Sequence, residues 1–240
     1  MTARRPFRIG IGGPVGSGKT ALIERLVPLL VMAGRSVSVV TNDILTREDE
    51  WHVRAALAGV LEPGRIVGVE TGTCPHTAVR EDPSMNLAVL DELETAYPAT
   101  DVVFLESGGD NLTLTFSPEL VDHSVYVIDV AGGDKIPRKR GQGLVQADLL
   151  VINKTDLAPF VGADLGIMER DARLVRDEGP FLFTDCRAGQ GIDAVIEHLE
   201  RARAAASQGE RHGRLHGDAG GSLGHVHATQ GGIRDQPPSA

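Results

Sequence analysis

The sequence predicts a three-layer α/β domain, with a mostly parallel central sheet flanked by helices and a disordered segment after it. Three observations lead there. Apolar, β-rich runs recur along the chain, and most are continuous, as strands covered on both faces require. Helix-period segments separate them. A Gly-rich turn ending in Lys19-Thr20 joins the first run to the first helical segment.

The runs are Phe7–Ile11, Ser36–Val40, Arg65–Val69, Asp101–Leu105, Ser124–Asp129, Asp148–Ile152 and Phe181–Phe183. Helical patterns occupy Ala21–Met32, Glu48–Ala58, Met85–Ala96, Asp164–Arg176 and Ile192–Ala205. Pro28 lies inside the first of these and removes one hydrogen bond, to the carbonyl of Glu24, so a local bend is expected. After about Ser207 the apolar periodicity ends, glycine becomes frequent, and the chain closes on Gln236-Pro237-Pro238-Ser239-Ala240. Residues 1–206 are therefore assigned to one domain and 207–240 to a disordered tail.

With 240 residues, 41% of them apolar, the chain can bury a substantial core. Aromatics are only 4%, so that core must rest on Val, Leu, Ile and Ala. The net charge of −9 argues against nucleic acid or an anionic membrane surface as the main partner. No apolar run is long enough to span a bilayer, no signal peptide is evident, and Cys74 and Cys186 lie far apart. A cytoplasmic protein with reduced thiols is expected.

Gly13-Pro14-Val15-Gly16-Ser17-Gly18-Lys19-Thr20 fits G-x-x-x-x-G-K-[ST], and it sits between a strand-like run and a helix, which is the context this phosphate-binding motif requires. Small residues let successive N–H groups turn toward a polyphosphate, and the helix N-terminus adds partial positive charge at the same place. Lys19 is expected to reach the β/γ phosphates and the Thr20 hydroxyl to ligate Mg²⁺. The fold expected is therefore that of the P-loop NTPases.

Asn153-Lys154-Thr155-Asp156 follows the run ending at Ile152 and has the N-K-x-D form of guanine-specific NTPases. A carboxylate at Asp156 can accept from the adjacent N1–H and N2 amino donors of guanine, and adenine offers neither. Lys154 is expected to lie along the base and Asn153 to brace the loop. The nucleotide is thus GTP. Phe183-Thr184-Asp185-Cys186 is the candidate second piece of the base site.

Hydrolysis needs Mg²⁺, an oriented water and a segment that senses the γ-phosphate. Asp43, after Val39-Val40-Thr41-Asn42, and Glu106, which opens Glu106-Ser107-Gly108-Gly109, are acidic groups at strand ends and join Lys19 as candidate catalytic residues. Glu106 can hold the water shell of the ion, and Gly109 permits backbone movement near the γ-phosphate. The basic segment Asp134–Gly141 reads either as a phosphate-contacting loop at an interface or as a solvated turn.

Cys74-Pro75-His76 is a candidate metal pair. On an extended segment, residues two apart point the same way, and thiolate with imidazole suits Zn²⁺, Ni²⁺ or copper ions rather than Mg²⁺ or Ca²⁺. Two ligands do not close a four-coordinate site, but a C₂ homodimer supplies a second pair.

Val69–Asn86, which contains that pair, closely resembles the signature of the UreG family of urease accessory GTPases. So do Thr41–Ile44, Glu106–Gly109, Asp134–Lys139 and Val161–Leu165; the likeness runs in order from about Arg8 to His198. The resemblance implies a SIMIBI-class GTPase that dimerises on binding GTP and nickel and delivers nickel to apo-urease with the other urease accessory proteins. It further implies that Lys19 and Thr20 bind phosphate and Mg²⁺, and that Asp43 sits near Mg²⁺ and the hydrolytic water. Glu70 and Glu106 would couple the nucleotide to the metal loop, where Cys74 and His76 bind nickel. Thr73, Arg140, Gln142 and Asp185 depart from residues common in the family.

No arginine finger is evident beyond Arg138 and Arg140, so slow hydrolysis that a partner stimulates is expected. Half of the histidines, His212, His216, His225 and His227, fall in the tail and are either ion scavengers or incidental polar residues. Other readings are a hydrogenase-type or other metal-insertion GTPase, a metal-binding protein with a regulatory nucleotide site, and a small-molecule kinase.

Overall fold

The computed structural model describes residues 5–43, 48–72, 75–109, 111–177 and 179–208, without the side chains of Glu48, Asp49, Pro75 and His76. Strands β1 (Phe7–Gly12), β2 (Val37–Asp43), β3 (Ile66–Glu70), β4 (Val102–Glu106), β5 (His123–Asp129), β6 (Leu149–Asn153) and β7 (Phe181–Phe183) coincide with the apolar runs to within a few residues. They form one 7-stranded sheet, ordered β3-β2-β4-β1-β5-β6-β7. Every neighbouring pair is parallel.

Among the described residues, eight α-helices flank them: α1 (Lys19–Met32), α2 (Glu48–Ala56), α3 (Pro75–Val79), α4 (Ser84–Ala96), α5 (Gln142–Gln146), α6 (Ala158–Val161), α7 (Leu165–Arg176) and α8 (Ile192–Ser207). On one face, Leu22, Leu26 and Leu30 of α1, Val53 of α2 and Val195 and Leu199 of α8 pack on Ile9, Ile11, Val39, Phe104 and Val127 of the sheet. On the other face, Leu90 and Leu93 of α4 cover Val40, Val103 and Leu105, while Met168 and Ala172 of α7 cover Ile128, Leu150 and Ile152. Burial on both sides explains why the strands read as continuous apolar runs.

Local chemistry sets the helix ends. Asp164 caps α7, its Oδ1 accepting from the amides of Gly166 at 2.8 Å and Ile167 at 3.1 Å. Helix α1 runs unbroken through Pro28. Helix α2 stops two residues before its pattern does, because the chain turns at Gly59, whose φ of +80° is unfavourable for any residue with a Cβ. The extended geometry expected at Cys74-Pro75-His76 is not what the latter two adopt, since Pro75 opens α3. Proline is at home in a first helical turn, where its missing N–H costs nothing. Helix α8 continues through Ser207, one residue past the expected domain end, and Cys74 and residues 209–240 of the tail lie outside the described residues.

Strand order reverses direction at β1: the chain first goes to β2 and β3 on one side, then to β5, β6 and β7 on the other. In an open parallel sheet such a point leaves a crevice beyond the C-terminal ends of the strands. The motifs meet at that edge.

Candidate functional site

The phosphate loop leaves β1 at Gly12 and enters α1 at Lys19. Its glycines serve different needs. Gly13, at φ +143°, faces the Val127 carbonyl, and Gly18, at φ +97°, faces the side-chain amide of Asn153; neither place has room for a Cβ. Gly16 has space around it, but its φ is +77°. Gly18 caps α1 without any side-chain bond, and the N-terminus of the helix points into the loop. Ser17 donates its amide to the Pro14 carbonyl at 3.1 Å. Its buried hydroxyl has no hydrogen-bond partner among the described residues, as suits a polar cradle awaiting an anion.

Lys19 is buried, and its Nζ donates to the Pro14 carbonyl at 3.2 Å. The Thr20 hydroxyl donates to Glu106 Oε1 at 2.7 Å. Glu106 ends β4, where it is paired in register with Ile11 and Thr41. Beyond it, Gly109 comes so close to Val15 that a Cβ there would collide with the valine side chain. Asp43 and Glu70 end β2 and β3 in register with each other. The Asp43 carbonyl accepts from the Thr71 amide at 2.8 Å and the Thr71 hydroxyl at 3.1 Å. Thr20, Asp43 and Glu106 offer only oxygen donors, a hard set that fits Mg²⁺.

Asn153 organises the corner of the N-K-x-D motif. Its Nδ2 donates to the Ser17 carbonyl at 3.1 Å, and its Oδ1 accepts from the Thr184 hydroxyl and the Cys186 amide, both at 3.1 Å. One buried side chain thus ties the loop of Ser17 to the Asn153–Asp156 motif and to the loop of Thr184 and Cys186. Lys154, at φ +59°, donates to the Gly16 carbonyl and pairs with Asp129 at 3.1 Å. Asp156 stands exposed in the turn Thr155–Leu157. Asp185 is buried, and its Oδ1 accepts from the amides of Arg187 at 2.9 Å and Ala188 at 3.0 Å, which shapes the second loop from within. Arg138 is engaged with Asp171 of α7 at 2.6 Å, so the basic segment is anchored at that point, while Arg140 is exposed.

Lys19, Thr20, Asp43, Glu70, Glu106, Gly109, Asn153, Lys154 and Asp156 therefore share one edge of the sheet. Cys74 lies outside the described residues; His76 is placed by its backbone in the first turn of α3. Sequence reasoning missed Asn42, Asn86, Thr71 and Asp129. The first two carried a signal, a lone amide within or beside an apolar pattern.

Residues 7–183 match the family model described as CobW/HypB/UreG, nucleotide-binding domain. The chain is 59% identical over 198 residues to the urease accessory protein UreG of Edwardsiella ictaluri, covering 82% of this chain and 95% of that one. It is 62% identical over 190 residues to UreG 2 of Methylorubrum extorquens, covering 79% and 88%. The chain belongs to the UreG family. A structure of HypB from Helicobacter pylori in complex with nickel shares the fold, with a TM-score of 0.70 at 19% identity, covering 84% of this chain and 89% of that one. Among the described residues of this UreG-family chain, no helix is long and apolar enough to cross a membrane.

Proposed function

We propose that this chain is a GTP-dependent nickel carrier for urease assembly: two copies hold one ion between Cys74 and His76 of each, and GTP hydrolysis governs its release to apo-urease. One observation carries the reading. The phosphate loop and the N-K-x-D corner are fastened together by Asn153, in a chain about three-fifths identical to proteins named urease accessory protein UreG.

The amides of Gly13–Gly18 and the N-terminus of α1 receive the phosphates. Lys19 leaves the Pro14 carbonyl for the β/γ phosphates, a stronger acceptor. Asp156 accepts the two adjacent donors of guanine, with the Lys154 stem along the ring and Asn153 holding the corner. Thr20, Asp43 and Glu106 are the residues that would hold Mg²⁺, which when bound neutralises charge developing on the β and γ phosphates. Asp43 and Glu106 orient the attacking water, and Gly109 lets the segment after β4 follow loss of the γ-phosphate. Arg138 is held by Asp171, so no guanidinium of this segment is committed to the phosphates within the chain, and hydrolysis is slow until a partner assists.

If GTP and nickel favour the same dimer, each raises the affinity of the other. Other urease accessory proteins then receive the loaded dimer in the cytoplasm, and the C-terminal histidines His212, His216, His225 and His227 gather loosely held ions. Zn²⁺ suits the same Cys-His donors and competes.

Gel filtration with metal analysis tests this reading. With Ni²⁺ and a non-hydrolysable GTP analogue, the protein should elute as a dimer carrying about one nickel per two chains. A Cys74→Ala variant that dimerises and binds nickel as the wild type does would overturn the interfacial site.

A further inference from the structure

Asn42 and Asn86 are both fully buried, and they link the end of β4 to α3. Asn42 Nδ2 donates to the main-chain carbonyl of Glu106 at 2.9 Å. Its Oδ1 accepts from Asn86 Nδ2 at 2.8 Å, and the same Asn86 amide donates to the Ala78 carbonyl at 2.9 Å. A primary amide carries two N–H donors, which is why one asparagine serves both acceptors. Aspartate, leucine or serine at position 86 cannot.

The neighbouring residue of β2 holds the other side of the same loop. The Asp43 carbonyl takes both the amide and the hydroxyl of Thr71. The chain that contains Cys74 and His76 therefore departs from a hydrogen bond to Asp43 and returns to one reached through Asn42. Glu106, at the far end, is bonded through its carboxylate to Thr20 and through its carbonyl to Asn42. Groups this deeply buried have no water to exchange with, so a shift of Glu106 either carries the two amides along or breaks the chain.

We infer that Asn86 is a positioning residue: through Asn42 it transmits the state of the Thr20–Glu106 site to α3, and so sets the loop of Cys74 and His76 according to the nucleotide. This rests on the proposed role as a GTP-gated nickel carrier, but its test does not require nickel.

Hydrogen exchange of the α3 amides is measured with GDP and with Mg²⁺ plus a non-hydrolysable GTP analogue, in wild type and in Asn86→Leu. In wild type, α3 exchange should differ between the two nucleotides; in Asn86→Leu the difference should vanish, while affinity for the analogue stays within about twofold, since position 86 touches no part of the phosphate loop. A purely structural role would change α3 exchange equally in both states. An α3 insensitive to nucleotide in wild type, or still sensitive in Asn86→Leu, overturns the inference. Should Asn86→Leu fail to fold, Asn86→Ser carries the same comparison and the same overturning result. Nickel titrations on the wild type separate the two ideas: an α3 that responds to nucleotide, with a nickel affinity that does not, sinks the carrier reading and leaves the relay standing.

Discussion

The Thr20 hydroxyl and the Glu106 carboxylate, 86 residues apart in the chain, are hydrogen-bonded at 2.7 Å. The last residue of the phosphate motif is thereby fixed to the end of β4, and the lone pairs left on the hydroxyl oxygen are available to a cation. Thr20→Ala should weaken GTP binding in Mg²⁺ by at least about tenfold, the loss expected for one charge-assisted contact, and abolish the difference between Mg²⁺ and EDTA. Calorimetry in the two buffers checks it. Glu106→Gln should bind GTP yet release phosphate more slowly than wild type.

Asn153 makes three buried hydrogen bonds to two separate segments, one at Ser17 and two in the loop of Thr184 and Cys186. Asn153→Ala should cost about 2–3 kcal/mol of stability, or about 5–10 °C in Tm, and should weaken binding of GTP and GDP alike. A melt unchanged from wild type would show that these bonds are dispensable.

Asp156→Asn replaces an acceptor by a group that also donates. GTP affinity should fall at least about 10²-fold, and xanthosine triphosphate, whose ring carries an oxygen in place of the N2 amino group, should bind better than to wild type. Competition binding with the two nucleotides decides the point.

At the opposite edge of the sheet, His123 Nε2 and His198 Nε2 lie 3.1 Å apart. Burial holds the His198 pKa below its ordinary 6.5, the Arg201 charge lowers it further, and Asp148 opposes them. The folded value is thus below the unfolded one, so the unfolded chain binds the extra proton more readily. Stability should be intact above about pH 6.5 and decline as the pH falls below it. Thermal melts across that range check this, and His198→Gln, which cannot charge, should flatten part of the decline.

Burial pushes the Cys186 thiol up to about 11. It should remain unmodified by iodoacetamide in the native protein near neutral pH and react once the chain is unfolded. Peptide mass spectrometry before and after denaturant reads this directly. Labelling of native Cys186 would mean that the loop it shares with Asp185 opens readily.

Much of the fold could be read in advance, because a strand covered on both faces leaves a continuous apolar run and its connecting helices leave a 3.6-residue period. The boundaries were less legible: α2 ends early at a turn before Gly59, and α3 replaces an extended stretch after Cys74. The phosphate and base motifs were visible because each is a short contiguous run, Gly13–Thr20 and Asn153–Asp156, whose residues sit side by side in the chain.

The sequence by itself determined the strands, the nucleotide motifs and the family. Only the tertiary structure decided which residues join them: Asn153 to Ser17, Thr20 to Glu106, and Asn86 through Asn42 to Glu106. Each of those bonds spans dozens of residues, between groups that a parallel sheet brings to the same edge. A hydrogen bond has a range of about 3 Å in space and none along the chain, so no local pattern records it.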